Sequence, residues 1–378
     1  MRGFMAKDIG IDLGTANVLI YVEGQGIALN EPSVVAIDAK TDQVLAIGSD
    51  AYKWIDRGNQ DIRVVRPLKD GVISDFDATE AMLTTFVNQL RVKGWMSRPN
   101  IMICAPTNIT EIERKAIIQA AQSAGGANVY LEYEPKVAAV GAGLDIFDFV
   151  GSMVIDIGGG TSDIAVLSGG DIVASQSLRM AGDQMTQDII HYVRQQFGIL
   201  IGTPMAERIK QEVGSALQVA NPIEMTIRGQ DLNDTNSVKG LPKQVTIDSN
   251  DIEEAMHSTL THIVRSSKEI LGQIQPGLAG DIIDRGIMLT GGGSLLGTNV
   301  KGGGIDTLLQ QELHVPVSIS DSPLDNVAKG AGTLLEYAKQ ERHHAHQVLG
   351  IGNPSYKKKL DKETQIKSNN IHINKVEQ

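Results

Sequence analysis

Cysteine is nearly absent from the 378-residue chain, which contains Cys104 alone. One cysteine cannot form a disulfide within the chain, so we expect the protein to reside in a reducing cytoplasm. No stretch approaches the roughly 18 consecutive apolar residues that a membrane-spanning helix needs. The first residues also lack the apolar core of a signal peptide. These absences favour a soluble globular protein whose fold depends on the burial of apolar side chains.

A basic surface stripe is missing as well. The 45 Asp and Glu residues outnumber the 34 Lys and Arg residues, and the formal net charge is −11. Nucleic-acid-binding proteins carry a basic stripe or patch, so nucleic acid is not an expected partner. The segment at residues 343–378 is locally cationic and has little apolar periodicity. We interpret it as a disordered cationic tail that either adds to attraction by an anionic membrane or is solvated without a function.

Glycine, in contrast, is abundant, with 40 residues in the chain. Because glycine has no Cβ atom, this abundance predicts tight turns and places where the backbone approaches a ligand closely. The chain is also too long for one small core, and its length suggests two or three domains.

Two distant segments share one pattern, at residues 8–21 and 154–166. Each has a short apolar strand that ends in an aspartate, Asp12 or Asp156, then a turn of Gly and Thr, then a second apolar strand. This pattern predicts a β-hairpin whose tip is built from small residues.

The residue types of these hairpins suit a nucleoside triphosphate. Glycines allow backbone N–H groups to converge on phosphate oxygens. The aspartate at the base of each hairpin offers an oxygen to Mg²⁺ through water, because Mg²⁺ keeps part of its hydration shell. A single hairpin is explained equally well by an ordinary glycine turn beside a solvated aspartate. The pair favours a clamp that holds one triphosphate from both sides.

Residues 131–143 are typical of a strand followed by a helix of small residues, with Pro135 in the first turn of the helix. This pattern places Glu134 at the helix N-terminus, where the helix dipole keeps its carboxylate ionised and able to accept a proton. The alternative is that Glu134 caps the helix without a catalytic role.

Two further segments fit the same clamp. Residues 287–296 predict a buried strand, a turn of three glycines and the start of a helix. A backbone without side chains lets an adenine ring or a phosphate lie against it. Residues 206–214 are typical of a helix with Glu207 and Lys210 one turn apart on the same face. By itself, this last segment is an ordinary solvated helix.

The order of these segments resembles the actin, Hsp70 and sugar-kinase superfamily. That order is a first phosphate hairpin, a Glu-Pro connecting helix, a second phosphate hairpin, an adenosine motif and a second connecting helix at residues 325–333. Within the superfamily, residues 7–340 closely resemble the MreB family of bacterial actins. The most specific similarities lie at residues 13–17, 67–73, 210–216, 240–242 and 289–296.

The resemblance implies an α/β, actin-like fold of two RNase H-like halves around a nucleotide cleft, each with a small inserted subdomain. The expected subdomains are IA at residues 1–34, 68–145 and 324–342, IB at residues 35–67, IIA at residues 146–181 and 251–323, and IIB at residues 182–250.

The resemblance also implies roles for individual residues. Glu134 and Thr161 would place the attacking water, and Asp156 completes the expected catalytic set. Asp12 and Asp156 would hold Mg²⁺ through water. The residues expected to bind ATP are Asp12, Gly14, Thr15, Ala16, Asn17, Gly158, Gly159, Gly160, Thr161, Glu207, Arg208, Ile209, Lys210, Gly291, Gly292, Gly293, Ser294 and Leu295.

By the same resemblance, the protein is expected to form ATP-dependent filaments that hydrolyse ATP slowly to ADP and phosphate. Its expected partners are further copies of itself in paired protofilaments, the cytoplasmic membrane surface and membrane-embedded cell-shape proteins. At the inner face of the cell membrane, such filaments would determine cell shape.

Two other classes remain as alternatives. The ATPase domain of an Hsp70-type chaperone shares the Asp-Leu-Gly-Thr hairpin and the Glu-Pro helix, but no apolar linker and peptide-binding β-domain follow them here. A small-molecule kinase would need a catalytic aspartate base facing a substrate pocket, and the sequence offers no separate motif for one.

A membrane contact is predicted at Trp95 and Met96. These two large apolar residues lie at a glycine-flanked turn with Arg91, Lys93 and Arg98 around them, a composition that suits the headgroup boundary. Several members of the resembled family have an apolar loop here. The alternative is that Trp95 folds back into the core.

Overall fold

A computed structural model describes residues 6–55, 61–94, 97–232 and 240–340 of the chain. The predicted membrane contact at Trp95 and Met96 and the predicted tail at residues 343–378 lie outside these ranges. In the part of the chain that the structure describes, no helix is both long and apolar enough to cross a membrane.

The described residues form both strands and helices. The strands are β1 (Ile9–Leu13), β2 (Asn17–Val22), β3 (Gly26–Pro32), β4 (Val35–Asp38), β5 (Val44–Ile47), β6 (Ile62–Val65), β7 (Leu68–Lys69), β8 (Val72–Ile73), β9 (Ile101–Ala105), β10 (Val129–Tyr133), β11 (Ser152–Ile157), β12 (Ser162–Ser168), β13 (Asp171–Leu178), β14 (Ile199–Leu200), β15 (Glu224–Asp231), β16 (Pro242–Asp248), β17 (Ile287–Thr290) and β18 (Val317–Ile319). The helices are α1 (Ser49–Tyr52), α2 (Phe76–Gln89), α3 (Glu111–Ser123), α4 (Glu134–Gly141), α5 (Gly182–Phe197), α6 (Thr203–Val213), α7 (Ser249–Gln273), α8 (Pro276–Arg285), α9 (Ile305–Leu313) and α10 (Asn326–Gln340).

Two five-stranded sheets have the same topology. The first sheet has the order β10-β9-β1-β2-β3, and the second sheet has the order β13-β12-β11-β17-β18. In both, three consecutive strands pair antiparallel, and two later strands join in parallel on the other side. The two hairpins predicted from the sequence are thus the central strands of a duplicated sheet.

The duplication extends to the register of the central strands. Asp12 on β1 lies opposite Leu19 on β2, and Asp156 on β11 lies opposite Asp163 on β12. Asp156 therefore follows Asp12 along the chain by the same number of residues as Asp163 follows Leu19. Both predicted aspartates occupy the same position in their sheets, close to the hairpin tip.

Each half also contains a small three-stranded sheet. The first, with the order β5-β4-β6, comes between β3 and β7 along the chain. The second, with the order β14-β15-β16, comes between α5 and α7. The predicted subdomain boundaries stay predictions.

Each large sheet is packed against its own helices. Met82 and Phe86 of α2 and Ile117 of α3 are buried in the core of the first sheet. Ile189 of α5 and Ile263 of α7 are buried in the core of the second sheet. Two separate apolar cores mean that the chain folds as two halves, which leaves room for a cleft between them.

The helices α4 and α10 cross through backbone contact. A Cβ atom on Gly141 of α4 would collide with the carbonyl oxygen of Asn326, and one on Gly330 of α10 would collide with the carbonyl oxygen of Val137. Glycine therefore allows a closer approach of the two helix axes than any other residue would permit.

We predict that Gly141→Ala lowers the melting temperature, because the added methyl group forces the two helices apart. Overpacking of this kind costs about 1–3 kcal/mol. Gly280→Ala in α8 is the matched control, because a Cβ atom there meets nothing within 4 Å. The control should be neutral or stabilising by up to about 1 kcal/mol, the ordinary helix preference of alanine over glycine. Equal melting temperatures for the two variants would contradict the tight crossing.

Candidate functional site: a cleft with phosphate-binding hairpins

A cavity of about 810 Å³ lies between the tips of the two hairpins. It brings together most of the residues that the sequence predicts for ATP binding. The predicted residues that line it are Asp12, Gly14, Thr15, Ala16, Asn17, Glu134, Asp156, Gly158, Gly159, Gly160, Thr161, Glu207, Lys210, Gly291, Gly292, Gly293 and Leu295.

Three predicted residues do not line the cavity. Arg208 lies on the outer face of α6, where its guanidinium group donates to Glu212. Ile209 on the same helix is fully buried in the core of the second sheet. Ser294 is buried, and its hydroxyl donates to the carbonyl oxygen of Gly291 at 2.7 Å. The prediction assigned every residue of a continuous segment to the ligand. A helix turns successive side chains by about 100° each, so only part of such a segment faces a ligand.

The two hairpin tips contact each other through glycine. A Cβ atom on Gly159 would lie 2.9 Å from the Cβ atom of Ala16, and one on Gly160 would lie 2.5 Å from the hydroxyl oxygen of Thr15. That hydroxyl also accepts a hydrogen bond from the backbone N–H of Gly71 at 3.2 Å. The tips are therefore held close enough for one chain of phosphates to lie between them.

Four carboxyl groups lie at or just behind the base of the cleft: Glu134, Asp156 and Asp163 are buried, and Asp12 is half-buried. Desolvation raises the pKa of Asp12 from 3.8 to about 7 and that of Asp163 from 3.8 to about 6. Burial also raises the pKa of Asp156 and of Glu134 well above the ordinary range, and the charges of the neighbouring aspartates raise both further. The base of the cleft thus collects carboxyl groups whose charged forms are disfavoured.

The position of Glu134 agrees with the sequence prediction. It is the first residue of α4, with Pro135 in the first turn and no side chain capping the helix. The helix dipole was expected to favour the ionised carboxylate. In the empty cleft the surroundings act in the opposite direction, because the pKa of Glu134 is raised by burial and then by Asp163, Asp12 and Asp156.

Asp163 is a candidate residue that the sequence reasoning missed. It is only 1% exposed, lies opposite Asp156 and accepts a hydrogen bond from the backbone N–H of Thr107 at 3.4 Å. Thr107 follows β9 of the first sheet, so this bond joins the two halves at the base of the cleft. A comparison of the two hairpin sequences could have identified Asp163, because the first copy has the apolar Leu19 where the second has an acid.

The aspartates fit a hydrated magnesium ion. The Oδ1 atom of Asp156 is buried and has no hydrogen-bond partner in the described residues. A buried carboxylate oxygen without a partner is costly, and a cation with its water shell would satisfy it. The described ranges contain no group of three or more His, Cys, Asp or Glu side chains that could hold a metal directly. Contact through water, as predicted for Asp12 and Asp156, is consistent with that finding.

One wall of the cleft is organised by Lys210 on α6. Its ammonium group donates to the Glu207 carboxylate at 2.9 Å, to the carbonyl oxygen of Gly182 at 2.7 Å and to the Thr186 hydroxyl at 2.8 Å. The backbone N–H of Gly182 in turn donates to the carbonyl oxygen of Gly158 in the second hairpin. These bonds fix the Glu207–Lys210 pair relative to the tip of the second hairpin.

The glycine turn after β17 differs in one respect from the prediction. Gly291 has a φ of 77°, which favours glycine, and the expected helix start is a single 3₁₀ turn over Gly292–Leu295. A Cβ atom on Gly291 would lie 2.5 Å from the Oδ1 atom of Asp156. The turn is therefore bare of side chains where it faces the buried carboxylate, and Leu295 remains 40% exposed beside the cleft.

The sequence reasoning also missed two charged residues of the cleft wall, Arg66 and Asp183. Arg66 follows β6 of the first half, and Asp183 lies at the start of α5 in the second half. Burial raises the pKa of Asp183, while the nearby charges of Arg66 and Lys210 lower it. Neither residue belongs to a Gly-rich or Asp-containing motif, so only the folded chain reveals their shared location.

A second groove, of about 490 Å³, lies between β5 and α2. Its lining includes Val44, Ile47, Asp77 and Glu80, but no glycine and no cation. The two carboxylates would repel phosphate, and no glycine turn offers backbone N–H donors there. This groove therefore does not compete with the cleft as a nucleotide site.

The chain matches known proteins over nearly its whole length. A model of the MreB/Mbl protein family matches residues 6–343. The cell shape-determining protein Mbl of Bacillus subtilis is 51% identical over 331 residues, which are 88% of this chain and 96% of that protein. The cell shape-determining protein MreB of Escherichia coli K12 is 46% identical over 340 residues, or 89% of this chain and 95% of that protein.

Solved structures agree with these sequence matches. The structure of MreB5 of Spiroplasma citri bound to ADP is 37% identical, has a TM-score of 0.81 and covers 89% of this chain and 98% of its own. The structure of the same protein bound to AMPPNP is 36% identical, has a TM-score of 0.82 and covers 90% of this chain and 99% of its own.

Both glycine-tipped hairpins and the helices α4 and α10 lie within the matched residues. The identities and the coverage favour this family over the chaperone and kinase alternatives. The chain therefore belongs to the MreB/Mbl family, and it has the actin-like α/β fold that its sequence predicts.

Proposed function

We propose that the protein binds ATP with Mg²⁺ in the cleft, hydrolyses it slowly to ADP and phosphate, and assembles into filaments that determine cell shape. The observation that carries the proposal is the pair of equivalent hairpins facing each other across one cavity of about 810 Å³. The ADP and AMPPNP bound to MreB5 of Spiroplasma citri support the choice of ligand, because that protein shares the fold over 89% of this chain.

Each side of the cleft has a role in this proposal. Backbone N–H groups at residues 14–17 and 158–160 hold the phosphates, since glycine lets them converge on the oxygens. Asp12 and Asp156 would hold Mg²⁺ through water. The ion, when bound, supplies positive charge that neutralises the phosphates and lowers the pKa of the surrounding carboxyl groups.

The base and ribose lie on the other side. Glu207 and Lys210 face the ribose and base, and the glycine turn over Gly292–Leu295 flanks the adenosine. Lys210 is already held by three hydrogen bonds, so this wall needs little rearrangement to receive the ligand.

Glu134 and Thr161 place the attacking water. Both side chains are buried at the base of the cleft, Glu134 at 9% exposure and Thr161 at 6%. An ionised Glu134 accepts a proton from the water as the oxygen approaches the terminal phosphorus. Phosphoryl transfer depends mostly on positioning and on neutralising charge, so this small set is sufficient for slow hydrolysis.

We predict that Glu134→Ala retains nucleotide binding and slows phosphate release by about 10²- to 10⁴-fold, the usual effect of removing a positioned base. Two measurements test this, the rise in melting temperature on adding ATP and Mg²⁺ and the rate of phosphate release. The rise should persist in the variant, because the hairpins that bind phosphate are unchanged. A wild-type melting temperature that ATP and Mg²⁺ leave unchanged would refute nucleotide binding. Normal turnover in the variant would show that Glu134 only caps the helix.

We also predict that the nucleotide-free protein loses stability as the pH rises from about 4 to 7. Asp163, with a pKa raised to about 6, and Asp12, with a pKa raised to about 7, bind protons more tightly when folded than when unfolded. Stability is therefore fully present below the unfolded pKa of 3.8 and is lost as the pH rises through these folded values.

Asp163→Asn tests this pH dependence. The variant should be more stable than the wild type at pH 8 by about 1–3 kcal/mol, because each unit of pKa shift corresponds to about 1.4 kcal/mol. The difference should shrink towards pH 4. Asp171→Asn, at an exposed position at the start of β13, serves as the control. Parallel pH profiles of wild type and Asp163→Asn would show that Asp163 does not contribute.

Self-assembly is supported by two exposed apolar side chains. Ile112 on α3 is 81% exposed, and Phe149 between α4 and β11 is 86% exposed. They lie on different halves of the molecule, and contacts between two different surfaces generate open filaments when the rotation does not close a ring.

We predict that the wild-type protein pellets on ultracentrifugation with ATP and Mg²⁺, and that Ile112→Asp and Phe149→Asp each reduce the pelleted fraction. A buried charge without a partner disfavours the contact between copies. Gln122→Asp, at an exposed polar position on α3, controls for added charge alone. The rise in melting temperature with ATP should be the same in all three variants. A wild-type protein that stays in the supernatant would count against filament formation.

Membrane association is the remaining part of the proposal. Arg91, Lys93 and Arg98, which flank Trp95 and Met96 along the chain, are exposed. Exposed cations beside two large apolar side chains suit contact with anionic headgroups at the inner face of the cytoplasmic membrane.

We predict that Trp95→Ser combined with Met96→Ser weakens co-flotation with anionic liposomes and leaves ATP-dependent pelleting intact. Flotation at several salt concentrations separates the apolar contribution from that of the cations, since only the latter is screened. Loss of folding in the double variant, seen as a collapse of the melting transition, would assign the two side chains to the core instead.

A further inference from the structure

A buried hydrogen-bond network joins the start of α10 to the end of β17. Asn326, at 1% exposure, is the first residue of α10. Its side-chain amide nitrogen donates to the Thr290 hydroxyl oxygen at 2.8 Å and to the Ser320 hydroxyl oxygen at 2.6 Å. Thr290 and Ser320 are also buried. Three polar side chains from three parts of the chain thus meet in the protein interior.

The Thr290 hydroxyl fixes which groups donate and which accept in this network. The Thr290 hydroxyl donates its single hydrogen to the carbonyl oxygen of Pro323 at 3.1 Å, so it can only accept from Asn326. The backbone N–H of Gly291 donates to the same carbonyl oxygen at 3.0 Å. The loop at Pro323 is therefore bound to the glycine turn by two bonds, and one of them is supported by Asn326.

These two segments form facing walls on one side of the cleft. Gly291 and Leu295 belong to one wall, and Pro323 and Leu324 to the other. Leu295 is 40% exposed and Leu324 is 53% exposed. Two apolar side chains beside bare glycine backbone suit a flat, apolar ring rather than phosphate, so this is the side where a purine base fits.

We infer that Asn326 is a positioning residue for the base side of the cleft, where it sets the separation of the glycine turn and the Pro323–Leu324 loop. The inference rests on the proposed nucleotide binding. Asn326 does not line the cavity itself. It acts through Thr290 and Ser320, which hold the two walls at the spacing that receives the base.

The same residue adjoins the helix that carries Glu134. The backbone carbonyl oxygen of Asn326 packs against Gly141 at the C-terminal end of α4, and Glu134 is the first residue of α4. A side-chain substitution at position 326 leaves this backbone contact in place. The affinity for the base should therefore change while the catalytic step does not.

The test compares Asn326→Leu, Thr290→Val and the double variant in the full chain. The affinity for ADP is measured by calorimetry, and KM and kcat are measured for ATP. Either single variant should weaken ADP binding and raise KM by about three- to tenfold, the usual effect of losing one or two buried hydrogen bonds. The value of kcat at saturating ATP should stay within about twofold of the wild type, because the phosphate hairpins and Glu134 are untouched.

The double variant examines whether the two residues act together. If Asn326 acts through Thr290, the double variant should bind ADP no more weakly than the worse single variant. Full additivity of the two effects would overturn the inference. Thr290→Val preserves the shape of the side chain, so it keeps the test informative if Asn326→Leu folds poorly.

A control separates positioning from general stabilisation. Ile263 on α7 is 1% exposed in the core of the second sheet, and no residue of α7 lines the cavity. Ile263→Val should lower the melting temperature, because it removes a buried methyl group, without weakening ADP binding. If Asn326→Leu behaves in the same way, with a lower melting temperature and wild-type ADP affinity, the role of Asn326 is structural and the inference fails. Wild-type protein that does not bind ADP would instead refute the proposed function.

Discussion

Burial of several carboxyl groups close together is the constraint on which the cleft depends. Asp12 comes from the first sheet, Asp156 and Asp163 from the second, and Glu134 from the helix between them. Removal from water disfavours the charged form of each group, and the neighbouring aspartates disfavour it further at Glu134 and Asp156. Ionising these groups in the empty cleft therefore costs free energy, and the proposed Mg²⁺ would lower that cost.

The duplicated sheet explains why the charges converge from both halves. Equivalent strands place Asp12 and Asp156 at equivalent positions, and the turns after them bring both aspartates towards one centre. The duplication is not perfect, because Asp163 replaces the apolar residue found at Leu19. The second half therefore supplies more negative charge than the first. The hydrogen bond from Thr107 to Asp163 also crosses between the halves, which gives the asymmetry a structural consequence as well.

The motifs with regular spacing were predictable from the sequence, and the contacts between distant segments were not. Both hairpins, the helix that begins at Glu134 and the Glu207–Lys210 pair follow from local patterns, because Gly, Pro and charge spacing act within a few residues. Arg66 and Asp183 line the cleft, and Asp163 lies beside Asp156, only through the packing of whole elements, so no local pattern marks them.

Prediction failed in a different way where side-chain direction or environment decides the outcome. Arg208 and Ile209 belong to a correctly predicted helix, but they point to solvent and to the core. The ionisation of Glu134 was predicted from the helix dipole, a local effect worth less than about 2 kcal/mol. Burial beside three aspartates acts in the opposite direction in the empty cleft, and that environment exists only in the folded chain.

The crossing of α4 and α10 has a consequence for motion. At Gly141 and Gly330 one helix rests on the backbone of the other, so no side chains interlock there. Interlocked side chains must change rotamer before two helices can slide, whereas a smooth contact between backbones lets one turn about the other as a pivot. A small rotation about the crossing would therefore need no rotamer change at these two positions.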